Sequence, residues 1–444
     1  MDATGQRPSH PSVPRPTGLV LSPFRALRFD LAVVGDLADV TCPPYDVIDA
    51  DEAASLEALS EDNVVRLILP RDGVFPGQDR YAGAATLLQS WRTRGVLAPD
   101  PVPALYVYEQ AEPGGHVQRG LVGVLGLSPP EDGIVLPHES TMAGPVSDRL
   151  SLYTAVGADL EPIFLVYDGG GAASAAVSSV DGAGGSDQGA LLVDTFLGDG
   201  VRHRLWALTD PSTLAAIATD LHARKALIAD GHHRYATYLR RQELRHAAGD
   251  GSGPWDGGLC LLVDATSFGP QVHPIHRFVP GLDGSDLAHR AAVGMAVRRV
   301  DGALEDGLTA LARAGEAGPA FLLASDGGRV LHLLEAPDPV RLAAAVPSDR
   351  SAAWAHLDVS VLHGYIVPEL WGLPDDVEHV GYAHEVEAAV RAATESAGTA
   401  VLLNPTPVAA VAAVAAAGER MPRKSTLFTP KPRSGVVLRD HRDA

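Results

Sequence analysis

The sequence predicts a mixed α/β protein of at least two lobes, and three observations carry that expectation. Short apolar runs suited to buried strands alternate with longer Ala-rich runs suited to helices. The stretch from Leu205 to His246 reads strand, helix, strand, loop, helix. At 444 residues the chain also exceeds the roughly 250–300 residues at which a single core stops growing.

Composition narrows the function classes. Hydrophobic residues make up 46% and charged residues 20%, an ordinary globular balance. Aromatics are only 5%, so the cores must rest on Val, Leu and Ala. With 35 basic and 55 acidic side chains the formal charge is -20, which repels phosphate backbones and anionic bilayers. Small molecules, not nucleic acid or membrane, are therefore the expected partners, and a homo-oligomer is compatible with the same composition. Cys42 and Cys260 stand far apart with no CxxC spacing, as in a reducing compartment. No apolar run approaches the ~18–20 residues that span a bilayer. Pro8, Pro11, Pro14 and Pro16 mark a loose tail over residues 1–18 without the apolar core of a signal peptide, so a cytoplasmic location is expected.

From Leu19 onward the elements follow in order. Helices are expected over Asp51–Leu59 and Gln78–Arg94, the second closed by Gly95. Strands over Ala104–Glu109 and Gln118–Leu127 flank the turn Glu112-Pro113-Gly114-Gly115, and Pro162–Tyr167 is a short buried strand. Residues 168–190, rich in Gly, Ala and Ser, read as a flexible insertion with one short helix. Ala226–Ala229 is a strand, His233–His246 a helix, and Gly258–Val263 and Gln271–Val279 are further strands. Beyond a boundary near residue 280, Ala-rich helices such as Ala288–Val297 and Val340–Ala345 alternate with strands at Ala320–Leu323 and Val330–Leu334. Val408–Ala417 is a helix entered through Thr406-Pro407. The regions expected are thus 19–280 and 281–444.

The chemistry centres on Asp230-Gly231-His232-His233-Arg234, set between an apolar strand and a helix. Asp230 can cap the helix, and Gly231 lets the backbone approach a ligand. The helix N-terminus favours an anion such as phosphate, and Arg234 can grip an oxyanion bidentately. Adjacent histidines on a helix point about 100° apart, so His232 and His233 are not a metal pair. The plain alternative makes Asp230 a cap and the histidines packing residues.

Other strings are more specific in combination. Ser22-Pro23-Phe24-Arg25, Pro43-Pro44-Tyr45-Asp46-Val47-Ile48, Asn63-Val64-Val65-Arg66-Leu67, Pro137-His138-Glu139 and Asp148-Arg149 precede the central turn. His276-Arg277, Leu357-Asp358-Val359 and Met421-Pro422-Arg423-Lys424-Ser425-Thr426 follow it. Together they resemble the family known as domain of unknown function 1015, over residues 22 to 440. The strand and Gly-His-Arg turn also resemble the ParB/sulfiredoxin fold of free-serine kinases, which implies such a core with large insertions and an added α/β lobe. In those kinases a His-Glu element supplies the catalytic glutamate and an Asp-Gly-His-His-Arg-like turn handles nucleotide phosphates.

That resemblance implies a small-molecule kinase acting on free L-serine or a similar hydroxyl, with ATP or ADP as donor and Mg²⁺ as cofactor. Glu139 would take the hydroxyl proton, a common task of a positioned carboxylate. Asp230 would be catalytic and could contact Mg²⁺. Gly231, His232, His233, Arg234, Lys424 and Ser425 would hold phosphate, and His138, Arg149, Arg277, Tyr45 and Asp46 would form the substrate side. Each has a plain reading as well: Glu139 a solvated loop residue, His138 structural, Tyr45 and Asp46 a stiff connection, and Arg423-Lys424-Ser425-Thr426 a solvated basic loop. That basic loop is not a P-loop, because Arg423 replaces the glycine before the lysine. A second function reading is a ParB-like nucleotide-sensing protein that acts through a protein partner without phosphoryl transfer. A metal hydrolase finds no HExxH or comparable spacing to support it.

Overall fold

The computed structural model describes residues 15–180 and 189–443. The expected tail through Pro14 and residues 181–188 of the Gly/Ala/Ser-rich stretch lie outside them. Mixed α/β architecture holds throughout, in two compact units. The first takes in the described residues up to Pro137, Thr141–Pro270 and those from Pro430; the second holds His138–Ser140 and Gln271–Thr429. The sequence places everything after 280 in one region, whereas residues from Pro430 return to the first unit. They do so because Leu438 exchanges backbone hydrogen bonds with Leu27 and Arg439 meets the carboxylate of Asp159.

The first unit is built on a nine-stranded sheet of β1 (Leu21–Ser22), β2 (Leu105–Ala111), β3 (Val117–Gly126), β4 (Val135–Leu136), β5 (Ile163–Tyr167), β6 (Ala190–Phe196), β7 (Arg202–Leu208), β8 (Ala226–Asp230) and β9 (Gly257–Asp264). Across the sheet the order is β4-β8-β5-β9-β3-β2-β7-β6, with β1 paired to β3. β5 and β9 are buried along their whole length, which is why both read as unbroken apolar runs and not as alternating ones.

The helices of this unit carry clear stop and start chemistry. α1 (Ala50–Leu59) and α2 (Arg80–Thr93) are capped by Asp49 and Asp79, whose carboxylates accept first-turn N–H groups. Gly95, at φ +74°, follows α2. α3 (Ala143–Val156) is missing from the sequence reading because Gly144-Pro145 looks like a turn; a first-turn proline is in fact well tolerated. α4 (Gly171–Ser179) is the short helix expected after β5, and α5 (Pro211–His222) precedes β8. α6 (His232–Ala247) leaves β8 and packs on α3, where Tyr153 and Tyr238 stack with ring centres 5.7 Å apart. Beneath this packing, fully buried Asp159 is held by Arg241 and Arg439, each at 2.8 Å, and by His441 at 3.2 Å. Burial alone would raise its carboxyl; Arg241, His441 and Arg439 override that and hold it far below the usual range.

The second unit is an antiparallel six-stranded sheet with β10 (His276–Val279), β11 (Met295–Val300), β12 (Phe321–Ser325), β13 (Val330–Pro337), β14 (Gly381–Ala383) and β15 (Thr399–Leu403), ordered β11-β13-β12-β15-β10-β14. α8 (Leu304–Gly315) and α9 (Val386–Glu395) close one core through Leu311, Ala389 and Ala393 against Leu322, Leu333 and Leu402. Two expectations are corrected here. The run Ala288–Val297 divides into α7 (Gly284–Ala291) and β11, because Gly294 breaks the helix and Val297 and Val300 prefer a strand. Gln271–Val279 is two strands, since Pro274 cannot donate to a ladder. α10 (Val408–Ala416) matches its expected span and buries Val411 and Val414.

Candidate functional site

The site begins with a strand pair. β4 and β8 run parallel and adjacent, with Val135 opposite Ala226 and Leu136 opposite Leu227. Parallel neighbours bring their carboxyl ends to the same edge of a sheet, the place where open α/β sheets bind ligands. Pro137-His138-Glu139 leaves one of these strand ends and Asp230-Gly231 the other. The long stretch of chain between Glu139 and Asp230 thus returns to pair the two strands.

At the end of β8 the charges are already matched. Asp230 offers Oδ1 to Lys431 Nζ at 2.7 Å and Oδ2 to Arg234 Nη2 at 2.5 Å. Lys431 Nζ also lies 2.9 Å from Asp46 Oδ2, so one ammonium bridges two carboxylates. Burial works against the charge of Lys431, yet Asp230 and Asp46 raise its pKa above the ordinary value. At Asp46, burial opposes ionisation as well, but Lys431 and Arg234 hold the carboxyl below its usual range.

Arg234 is the first correction. It is 1% exposed and turned inward, with Nη1 donating to the Pro162 carbonyl at 2.6 Å and Nη2 to Asp230. Its fork is spent within the fold, so it cannot grip an oxyanion bidentately. Its Nε is buried without a partner. Gly231, in left-handed conformation at φ +91°, sits directly over it; a Cβ there would meet Nε at 3.0 Å. The need for glycine is thus packing as well as turn geometry.

The histidines differ. His232 is buried in the first turn of α6. His233 accepts the Met142 N–H at Nε2, 3.1 Å away, and burial holds its pKa below the ordinary value. That leaves Nδ1 as its donor and fixes the tautomer. As a phosphate ligand His233 has one nitrogen to offer, not two. The first turn of α6 still contains no acidic residue, an arrangement favourable to an anion.

Tyr45 and Asp46 lie on a single 3₁₀ turn. The Tyr45 ring is sandwiched by arginines, with Arg149 Cζ 4.3 Å and Arg234 Cζ 6.0 Å from its centre. Arg149, on α3, donates to the Ile68 carbonyl at 2.5 Å and to Asp148 Oδ2 through Nε and Nη2. Behind them lies Glu161, fully buried, which the sequence reading passed over. Its Oε1 accepts the Tyr45 N–H and the Ser434 hydroxyl, both at 3.0 Å, while Oε2 is buried without a partner. Burial pushes the Glu161 carboxyl up, and Arg234 and Arg149 pull against that. The only sequence signal was an acidic residue two places from an equally buried Asp159 in an otherwise apolar stretch. Cys42 is wholly buried and its thiol is pushed up by that burial, so it is no nucleophile.

The remaining expected residues belong to the second unit. His138 is buried; its carbonyl accepts the Met421 N–H at 2.8 Å and its Nε2 lies 3.1 Å from Thr426 Oγ1. It therefore orders the loop Met421–Thr426, a structural task. Arg277 pins the same loop through the Lys424 carbonyl at 2.9 Å, and donates Nε to His363 Nε2 at 3.0 Å, with Asp375 2.6 Å behind the other His363 nitrogen. Burial lowers its pKa to about 10. Fully buried and committed to this relay, Arg277 is not free to bind substrate. Ser425 is buried too, its hydroxyl given to the Pro422 carbonyl, which corrects its assignment to phosphate. Lys424 is exposed, at φ +55°, and Glu139 is half-buried.

Mg²⁺ does not fit Asp230 as a resident ligand. Both carboxylate oxygens face cations, and among the described residues no three His, Cys, Asp or Glu side chains converge on a metal-sized site. No helix of the described residues is long and apolar enough to cross a membrane.

Among solved structures, a free serine kinase variant in complex with ADP is similar at 13% identity and TM-score 0.33, covering 67% of this chain and 84% of that one. A conserved hypothetical protein from Pyrococcus furiosus matches at 13% identity and TM-score 0.33, covering 70% and 94%. SbnI with C-terminal truncation from Staphylococcus aureus matches at 10% identity and TM-score 0.33, covering 71% and 86%. No curated protein sequence matches. One protein family does, described as protein of unknown function (DUF1015), over residues 21–360. Since that match takes in well over half of the chain, the protein belongs to the DUF1015 family.

Proposed function

We propose that the protein is a nucleotide-dependent phosphotransferase that acts on a hydroxyl of a small metabolite, with free L-serine the first acceptor to try. The observation that carries this reading is the parallel pairing of β4 with β8, the second of which ends in the Asp230–Arg234 turn at the start of α6. In this reading Glu139 takes the hydroxyl proton as the acceptor oxygen bonds to the terminal phosphorus of ATP or ADP, whose bridging P–O bond breaks to release ADP or AMP. The Gly231–His233 backbone and Nδ1 of His233 receive phosphate oxygens at the helix start. Asp230 and Arg234 act one step back, holding the turn in shape. ATP and ADP are both candidate donors.

A second reading is favoured by a specific observation: both oxygens of Asp230 already face a cation, Lys431 or Arg234, where a metal ion would have to sit. A protein that binds a nucleotide and signals through a partner, without transfer, needs no metal ion there. Phosphorus NMR of the purified protein with Mg²⁺, L-serine and either ATP or ADP separates the two. Transfer predicts a new phosphomonoester signal that requires serine and vanishes in Glu139→Gln. Unchanged nucleotide with both donors, together with measurable nucleotide binding that survives Glu139→Gln, overturns transfer in favour of sensing.

A further inference from the structure

The first unit contains a pocket of about 260 Å³ that the proposed function leaves unused, lined by Arg71, Arg80 and Arg149 together with Ile48, Leu69 and Pro70. Three guanidinium groups around one small cavity stand out in a chain of net charge -20. Arg71 pairs with Glu57, and Asp148 alone is in contact with the other two. Asp148 is shared: Oδ1 receives Arg80 Nη2 at 2.9 Å and the Tyr81 hydroxyl at 2.7 Å, while Oδ2 receives Arg149 Nε at 3.0 Å and Nη2 at 2.6 Å. One carboxylate, its lone pairs filled, thus serves two arginines. Asp49, also at the rim, gives its Oδ1 to the Asp51 and Glu52 N–H groups of α1.

Donors remain. Arg71 reaches Glu57 through Nη2 alone, and its Nε is buried without a hydrogen-bond partner. Arg80 spends only Nη2 on its partners among the described residues. A buried guanidinium N–H without an acceptor calls for a missing water or anion. The volume is ample for a small metabolite. A lining that combines guanidinium groups with apolar side chains suits a molecule with one anionic end and a short aliphatic body, because planar carboxylates pair with arginine bidentately. We propose that this pocket binds a small organic carboxylic acid, held at its carboxylate by Arg71 and Arg80, with its carbon chain against Ile48, Leu69 and Pro70. The binding stands whether or not the protein transfers phosphate.

The test is saturation-transfer NMR on the full chain with L-lactate, L-serine and propionate in turn, at constant ionic strength, and with inorganic phosphate as competitor. Saturable binding of at least one acid is expected. It should weaken about tenfold in Arg80→Gln and in Arg71→Gln, the equivalent of one charged contact, and stay unchanged in Arg94→Ala, a surface arginine paired with Asp62. Both arginines in the pocket are partly exposed, so these variants should keep the wild-type melting temperature within a few degrees. No saturable binding of any of the acids overturns the proposal. So does binding that the two pocket variants leave intact, or inorganic phosphate competing as well as the acids do.

Discussion

Lys431 places its ammonium 2.7 Å from Asp230 and 2.9 Å from Asp46, so a residue from late in the chain neutralises two carboxylates that the sequence separates widely. The side chains of Lys431 and Asp230 are only 15% and 13% exposed. Lys431→Met would leave two carboxylates facing one arginine. Removing one partner of a largely buried pair strands the other, so a loss of about 2–3 kcal/mol is expected in urea unfolding at neutral pH. Part of that loss should return as the pH falls and Asp46, no longer held down by Lys431, protonates. A variant as stable as the wild type would show that the bridge contributes nothing.

Gly231→Ala tests the turn itself. An alanine at φ +91° is strained by about 1–2 kcal/mol, and its Cβ would press on Arg234 Nε. A melting temperature lowered by several degrees is expected, along with weaker nucleotide binding by calorimetry. Unchanged values for both would mean that the turn relaxes freely.

Glu161 predicts a pH signature. Its carboxyl is raised in the folded protein, so folding favours the protonated form and stability drains away as pH rises above the unfolded value of about 4.3. Glu161→Gln keeps an acceptor for the Tyr45 N–H and removes the titration. The stability of the wild type relative to this variant should therefore fall as the pH rises above about 4.3. A relative stability that rises instead would mean that Arg234 and Arg149 outweigh burial.

The same logic applies to Asp358 in the second unit, where burial pushes the carboxyl up to about 7 despite hydrogen bonds from Ala320 and Asn404. The carboxyl is neutral at low pH, and its contribution is lost as pH climbs from the unfolded value of about 3.9 through about 7. At about 1.4 kcal/mol for each unit, the loss approaches 4 kcal/mol by the upper end. Asp358→Asn should flatten the curve of unfolding free energy against pH over this range; a curve identical to the wild type would refute it.

Arg277 carries a prediction about order. Arg277→Met leaves the Lys424 and Ile275 carbonyls without their donor, at a cost of roughly 2 kcal/mol. Amide hydrogen exchange over residues 421–426 should quicken, while β12 and β15 stay protected. Equal protection of the loop in both proteins would assign its order to His138 alone.

Much of the fold was legible because it rests on local patterns. The apolar runs of β5, β8 and β9 and the closing Gly95 after α2 announce themselves within a few residues. α3 was hidden because Gly144-Pro145 imitates a turn. The site was legible as a motif but not as a direction. Asp230 and Arg234 stand four apart, the spacing of an ion pair at a helix start, and that reading accounts for the inward turn of Arg234 better than ligand binding does. Glu161 and Lys431 could not be found from neighbours in sequence, since what makes them matter is burial beside residues more than a hundred positions away.

The return of the chain to the first unit bears on its biosynthesis. Translation delivers residues in order, so Asp159, Glu161 and Asp230 emerge before Arg439, Ser434 and Lys431, with the whole of Gln271–Thr429 between them. Until that last segment leaves the ribosome, three acidic groups destined for the interior have no counter-charge or hydrogen-bond donor from it. A nascent first unit must therefore wait, loosely collapsed, and a ribosome stalled short of residue 430 holds an incomplete fold that proteases should cut readily.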